Sequence, residues 1–261
     1  MKEFYIKKAN GMLRYHDFPG EEIPILFIHG LGCAGSFDYP QVASQEALRN
    51  HRCILVDLLG SGYSDKPDDF SYTVNEHAEY LAEFVTSIGL ESFVLFGHSL
   101  GGAVALSLVT KCRERIDRII LSEANLDKSS IGSTSKFIAD MDMKDFLEKE
   151  FSKLVQDSRI SGNHMWAAAL SSWSSKAAYL ISKSAAIGEE PSWRETLYSL
   201  DCPKTFIFGE YSLPDSDVEI LSAHHIHIEI VKNAGHSMAW ENPGELAKAI
   251  ENGIQKTYSK L

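Results

Sequence analysis

Hydrophobic positions along this chain follow two rhythms. Short, largely apolar runs at Ile23 to Ile28, Cys53 to Val56, Phe93 to Phe96, Ile116 to Leu121, Lys204 to Phe208 and His227 to Val231 read as strands. Runs without polar alternation are what a parallel sheet buried on both faces requires. Between them the spacing turns helical: Ala78, Leu81, Val85 and Ile88 within Val74 to Ile88, the run Ala103 to Val109, and Leu246, Ile250 and Ile254 near the end. The last of these helices is marked by Asn242 as N-cap and Pro243 in its first turn. Another helix is expected to begin beyond Phe37. At the front, Phe4 to Lys7 and Met12 to His16 read as a hairpin closed at Asn10-Gly11. This alternation predicts the α/β class, with a mostly parallel eight-stranded sheet and helices on both faces.

The alternation stops after Asn125. Serine and glycine crowd Ser129 to Ser135, a hinge-like composition, and from there to Leu200 the pattern is helical with no strand. Met143, Phe146, Leu147, Phe151 and Leu154 make one apolar stripe; Trp166, Leu170, Trp173, Ala177 and Leu180 make a second. Stripes at this spacing are core positions first. The expected organisation is a core of residues 1-125 and 201-261, with a helical cap insertion at 126-200 over the C-terminal ends of the strands. Under such a cap Trp166, Trp173 and Tyr179 are candidate pocket walls, together with Trp193, although periodicity fits plain packing equally well.

One stretch carries chemistry. Phe93 to Phe96 stops at Gly97, the five residues Gly97-His98-Ser99-Leu100-Gly101 have the form G-x-S-x-G, and a buried helix follows. In a strand–turn–helix setting this pattern is a nucleophile elbow: the glycines clear space around a sharp bend that exposes the serine. A serine hydroxyl is inert until a base takes its proton, and that base needs an orienting acid. His236, after the last expected strand and before the terminal helix, fits the base. The plainer reading of Ser99, a solvent-facing residue in a small turn, does not explain why strand, turn and helix agree.

Charge and composition narrow the partners. Lys and Arg total 25 against 36 Asp and Glu in 261 residues, a net charge of −11, which argues against a nucleic-acid or anionic-membrane surface. Cys33, Cys53, Cys112 and Cys202 form no C-x-x-C pair and read as reduced thiols. The opening Met1-Lys2-Glu3-Phe4 carries no apolar leader, and no run approaches membrane-spanning length, so a cytoplasmic location is expected. His224, His225 and His227 resemble a metal cluster, but neighbouring strand residues point to opposite faces and no zinc spacing supports it. Gly60-Ser61-Gly62 lacks the lysine of a phosphate-binding loop, and Asp57 is expected to tie down its own turn.

Taken together, His29-Gly30 after the third strand, the Asp57 to Ser64 turn, Gly97 to Gly102 and Gly235-His236 resemble the α/β-hydrolase-fold enzymes, over nearly the whole length outside the insertion. That resemblance implies an oxyanion hole made by the backbone N–H groups of Leu31 and Leu100, a structural role for His29, and a packing role for His98. The acid departs from the family's commonest pattern, in which an Asp stands where this chain has Ser212. Nearby carboxylates are Glu210, Asp215 and Asp217. Glu123, after the strand Ile116 to Leu121, matches relatives of the haloalkane dehalogenases that place their acid there. Glu123 is the preferred candidate, and Asp215 or Asp217 the alternative. The resemblance implies a serine hydrolase acting on a carboxylic ester, or a related acyl bond, of a small to medium, fairly apolar molecule, without cofactor or metal. Dehalogenation is disfavoured because it uses a carboxylate nucleophile where this chain has Ser99. Alternatives within the fold are a carbon–carbon bond hydrolase, a lactonase, or a slow small-ligand receptor.

Overall fold

The strands are β1 (Lys2–Ile6), β2 (Gly11–Phe18), β3 (Glu22–Ile28), β4 (His51–Asp57), β5 (Phe93–His98), β6 (Ile116–Ser122), β7 (Lys204–Gly209) and β8 (His227–Val231) in a computed structural model that describes residues 1–256. They form one sheet in the order β1-β2-β4-β3-β5-β6-β7-β8. β1 with β2 and β2 with β4 are antiparallel; every other neighbouring pair is parallel. The chain runs outward from β3 to β4 and then returns to the other side of β3 for β5. The loops after β3 and β5 therefore part company at the C-terminal edge, the place where open α/β sheets leave a crevice for ligands.

The central parallel strands are buried on both faces, whereas the edge strand β8 is partly exposed. Ile25 to Ile28, Cys53 to Val56 and Phe93 to Phe96 are all essentially inaccessible, which is why their sequences do not alternate. One face is covered by the helices Val74–Ser87 and Leu100–Cys112, the other by the helix Pro243–Gln255. Leu100–Cys112 is apolar nearly all round because it lies between sheet and neighbouring helices. Pro243–Gln255 starts as its sequence predicts: the Asn242 side chain accepts from the Glu245 N–H at 3.3 Å, and Pro243 occupies the first turn, where no N–H is needed.

Two local expectations are corrected. The front hairpin has a four-residue turn, Lys7 to Asn10, and Gly11 already pairs with Ile6. Asn10 alone takes the left-handed conformation, at φ +47°, so Gly11 is free to enter the ladder. After β3 the chain coils earlier than Phe37, as Gly35–Asp38, and begins again as Pro40–Ala43. Pro40 has no N–H to continue the first coil, so two single turns replace one helix.

Between β6 and β7 the chain is helical: Thr134–Ala139, Phe151–Ile160, His164–Leu170, Ser175–Ile187 and Trp193–Tyr198, with shorter turns among them. Three indoles fasten these helices to the loop after β3 and to the helix Leu100–Cys112. Trp166 Nε1 donates to Leu31 O at 3.0 Å, Trp173 Nε1 to Cys33 O at 2.7 Å, and Trp193 Nε1 to Ser107 Oγ at 3.0 Å. Two of the three acceptors lie in the loop after β3, so the helices stand over the crevice. Among the described residues no helix is long and apolar enough to cross a membrane. All four cysteines are free.

Candidate active site

Ser99 sits at the bend between β5 and the helix Leu100–Cys112 with φ +53° and ψ −126°. A side chain rarely holds this backbone conformation, which costs on the order of 1–3 kcal/mol. The neighbourhood enforces it: Ser99 N–H donates to Ser122 O at 3.0 Å, and Ser99 O accepts from Gly102 at 2.9 Å and Asn125 at 3.0 Å. Gly101 permits the approach. A Cβ there would stand 2.2 Å from His29 O and 2.6 Å from Ile28 O, so only glycine lets the elbow press on the end of β3.

Ser99 Oγ lies 3.0 Å from His236 Nε2, and His236 Nδ1 lies 2.6 Å from Glu123 Oε2. The second Glu123 oxygen accepts the Gly209 N–H at 2.8 Å, which aims the first at the imidazole. Glu123 stands directly after β6 with its own N–H bonded to Ile207 O at 3.0 Å, so two strands position it. Burial pushes its carboxyl up, but the hydrogen bonds from His236, the Gly209 N–H and the Ser212 hydroxyl outweigh burial and hold it below the usual glutamate range. Ser212, at the position where the family's commonest pattern has an Asp, thus supports the Glu123 carboxylate from the turn after β7. An ionised Glu123 accepts only, which places the imidazole proton on Nδ1 and leaves Nε2 to accept from Ser99 Oγ–H. The His236 side chain is 54% exposed against 12% for Glu123, so the imidazole is accessible while the carboxylate bonded to it is sheltered.

The alternative acids point elsewhere. Asp215 accepts the Asp217 N–H at 2.7 Å, and Asp217 forms a two-pronged ion pair with Arg194 at 3.1 and 2.9 Å. Glu210 accepts the Asn233 N–H at 2.8 Å. Leu31 and Leu100 line the same cavity as Ser99, about 420 Å³ in volume. Leu100 is the first residue of its helix, so its N–H has no acceptor within the helix and lies at the positive end of the dipole.

The family model for the alpha/beta hydrolase fold matches residues 23–211. The chain belongs to that family. Over 118 residues it is 32% identical to haloalkane dehalogenase 2 of Mycobacterium tuberculosis, covering 45% of this chain and 40% of that protein. Over 106 residues it is 34% identical to 2-hydroxymuconate semialdehyde hydrolase of Pseudomonas putida, covering 41% of this chain and 37% of that protein. The chain thus matches about two fifths of the length of these curated relatives. A thermophilic esterase from Thermogutta terrifontis superposes with a TM-score of 0.79 at 21% identity, over 99% of both chains, a likeness of fold.

In this α/β-hydrolase the remaining histidines near the crevice are neutral braces. His29 Nε2 accepts from Leu58 N–H at 3.0 Å and lies 3.0 Å from Ser61 Oγ, which itself donates to Leu58 O at 2.7 Å, while Nδ1 lies 2.9 Å from Gly30 O. Complete burial lowers its pKa. It ties the loop carrying Leu31 to the Asp57 turn, where Asp57 accepts from Ser36 N, Ser36 Oγ and Tyr63 N at 2.7–2.9 Å. His98 turns under the elbow to Ser122, and burial together with the nearby His236 pushes it down to about 3. His224 stacks on Tyr198 at 3.7 Å and His227 meets Glu229 at 2.7 Å, so the histidine cluster of the sequence diverges.

Of the aromatic side chains weighed as pocket walls, Trp166 lines the cavity. Trp173 and Tyr179 are corrections. Both are buried away from it, Trp173 bonded to Cys33 O and edge-on to His29, Tyr179 bonded to Met141 O at 3.1 Å. Their helical spacing reflected packing of the insertion against itself and the sheet layer.

Two lining residues had no sequence signal strong enough to raise them. Trp240 follows His236 by one short turn, and Asp38 lies between Phe37 and Tyr39, where the sequence suggests only the start of a helix. Asp38 is 4% exposed and accepts the Ala34 N–H at 2.7 Å and Trp240 Nε1–H at 2.6 Å. It therefore joins the loop after β3 to the turn carrying His236. Burial pushes its carboxyl up to about 6 despite these two donors. A pKa raised in the fold means the native state holds the proton more tightly, so this group's contribution to stability falls as pH rises from about 4 to about 6. Asp38→Asn removes that titration. Denaturant unfolding at pH 4 and pH 7 is expected to show the variant gaining on the wild type by on the order of 3 kcal/mol as pH rises. A constant gap would mean that Asp38 titrates at its ordinary value.

Proposed function

We propose that this α/β-hydrolase cleaves a carboxylic ester of a small to medium molecule through an acyl-enzyme on Ser99. The observation that carries this reading is the continuous path from Ser99 Oγ to His236 Nε2 at 3.0 Å and from His236 Nδ1 to Glu123 at 2.6 Å. As Oγ attacks the carbonyl carbon, His236 takes the hydroxyl proton at Nε2, and the Glu123 carboxylate stabilises the imidazolium through Nδ1–H. The carbonyl oxygen becomes an alkoxide facing the N–H groups of Leu31 and Leu100. Collapse breaks the C–O bond, and the alcohol leaves with the proton from Nε2. Water, deprotonated in the same way, then attacks the acyl carbon and frees the acid and Ser99. This scheme calls on no cofactor or metal; its partner is the small-molecule ester alone.

The dehalogenase relative does not transfer its reaction. Halide displacement by Ser99 would leave an alkyl ether, with no carbonyl for water to attack, and turnover would end there. The contact of the Glu123 carboxylate with His236 Nδ1 at 2.6 Å supports the hydrolytic reading over a receptor, because it holds the imidazole in the tautomer that can take the serine proton. A fluorophosphonate probe tests the proposal. Rapid covalent labelling that disappears in Ser99→Ala is expected, together with hydrolysis of p-nitrophenyl acetate. Folded protein that never labels would instead be a ligand receptor.

A further inference from the structure

Beside the Ser99 cavity lies a second one, also about 420 Å³, that no step of the proposed reaction uses. The two share a wall: Gly132, Ser133, Thr134 and Trp166. Their linings differ in kind. Asp38, Asn125, Ser135 and Asn163 face the Ser99 side, whereas Ile131, Phe137 and Leu154 face the other. The charged side chains on the second lining, Lys136 and Asp140, form an ion pair with each other one helical turn apart. Neither is left to disfavour an apolar guest. Ile131 is 94% and Phe137 57% exposed, apolar surface left uncovered among the described residues.

The shared wall is fastened to the chemistry. Trp166 Nε1–H is held by Leu31 O at 3.0 Å. Its ring lies against Gly32, where φ is +74° and an added Cβ would come within 2.5 Å of the indole. Only glycine there lets the tryptophan close on the loop that carries Leu31. At its other end the wall is thin, since a Cβ on Gly132 would meet no atom within 4 Å.

We propose that the second cavity is the subsite for a linear apolar arm of an amphipathic ester, whose polar groups near the scissile bond occupy the Ser99 cavity. The shared lining selects this occupant: Gly132, Ser133, Thr134 and Trp166 border both cavities, so a molecule reaching from one into the other runs along them. The assignment rests on the ester-hydrolase reading for the bond placed over Ser99; the subsite itself is read by binding alone.

The test measures calorimetric affinity of Ser99→Ala protein for two series, methyl esters from acetate to octanoate and alkyl acetates from methyl to octyl. In one series affinity is expected to rise by about two- to fourfold per methylene, the gain from burying alkyl surface in a partly open site. The series that responds identifies the arm as acyl or alcohol. In Phe137→Ser and Ile131→Ser, both at exposed positions that leave folding intact, that slope is expected to fall by at least half. Flat affinity in both series, or an unchanged slope in both variants, overturns the subsite. The outcome is separable from the reaction: a steep slope in a protein that never reacts with fluorophosphonate keeps the subsite and removes the hydrolase.

Discussion

Ser99→Ala is expected to lower kcat on a p-nitrophenyl ester by about 10⁴–10⁶-fold while the protein stays folded. The size follows from what the hydroxyl does in the proposed scheme. It is the atom that forms the covalent intermediate, so without it only binding and the N–H groups of Leu31 and Leu100 remain to favour hydrolysis by water. Alanine keeps the Cβ and therefore keeps the backbone geometry at φ +53°, with the bonds from Ser99 to Ser122, Gly102 and Asn125 untouched. Melting temperature is the control, and it should change little. Turnover near the wild-type value would take Ser99 out of the mechanism.

Glu123→Gln should be nearly as damaging, on the order of 10³–10⁴-fold in kcat, whereas Asp215→Asn and Asp217→Asn should stay within a few-fold. Glutamine can still accept the Gly209 N–H with its carbonyl oxygen. It then presents an NH₂ group to His236 Nδ1, which favours the tautomer with the proton on Nε2, and a protonated Nε2 cannot take the serine proton. Asp215 and Asp217 lose only a turn contact and one partner of a partly exposed ion pair with Arg194. The reverse order of damage would move the acid to the loop after β7. The same variant has a signature in acid. Glu123 is held below its ordinary value, so the stability it contributes is complete above pH 4.5 and is lost as pH falls through its folded value. Glu123→Gln should flatten that part of the unfolding profile.

Acid placement also shows where reading by sequence stops. Glu123, Asp215 and Asp217 are all carboxylates following a strand; resemblance prefers Glu123, but spacing along the chain does not fix which of them reaches the imidazole. The choice depends on which neighbour occupies the space beside His236, and His236 is 113 residues from Glu123 in the chain. β6 and β7 are adjacent in the sheet, so the turn that ends β6 points Glu123 at the Gly209 N–H and Ser212, while the loop after β7 carries Asp217 away to Arg194. Asp38 makes the same point. Its sequence setting gives no sign of burial, which arises because Trp240, 202 residues away in the chain, meets one carboxylate oxygen while the nearby Ala34 N–H meets the other.

What the amino-acid order determined by itself is everything whose cause is local. Uninterrupted apolar runs specify strands covered on both faces, Asn242-Pro243 starts the last helix, and Gly97 and Gly101 around Ser99 specify a bend that larger residues would block. These follow from side-chain size, backbone freedom and periodicity within a few residues. Tertiary structure alone decided which carboxylate meets His236, that Trp166 and Trp240 rather than Trp173 and Tyr179 face the cavity, and that a second, apolar cavity adjoins it. Those outcomes depend on distances between elements far apart in the chain, and periodicity records that a side chain is buried without recording against what.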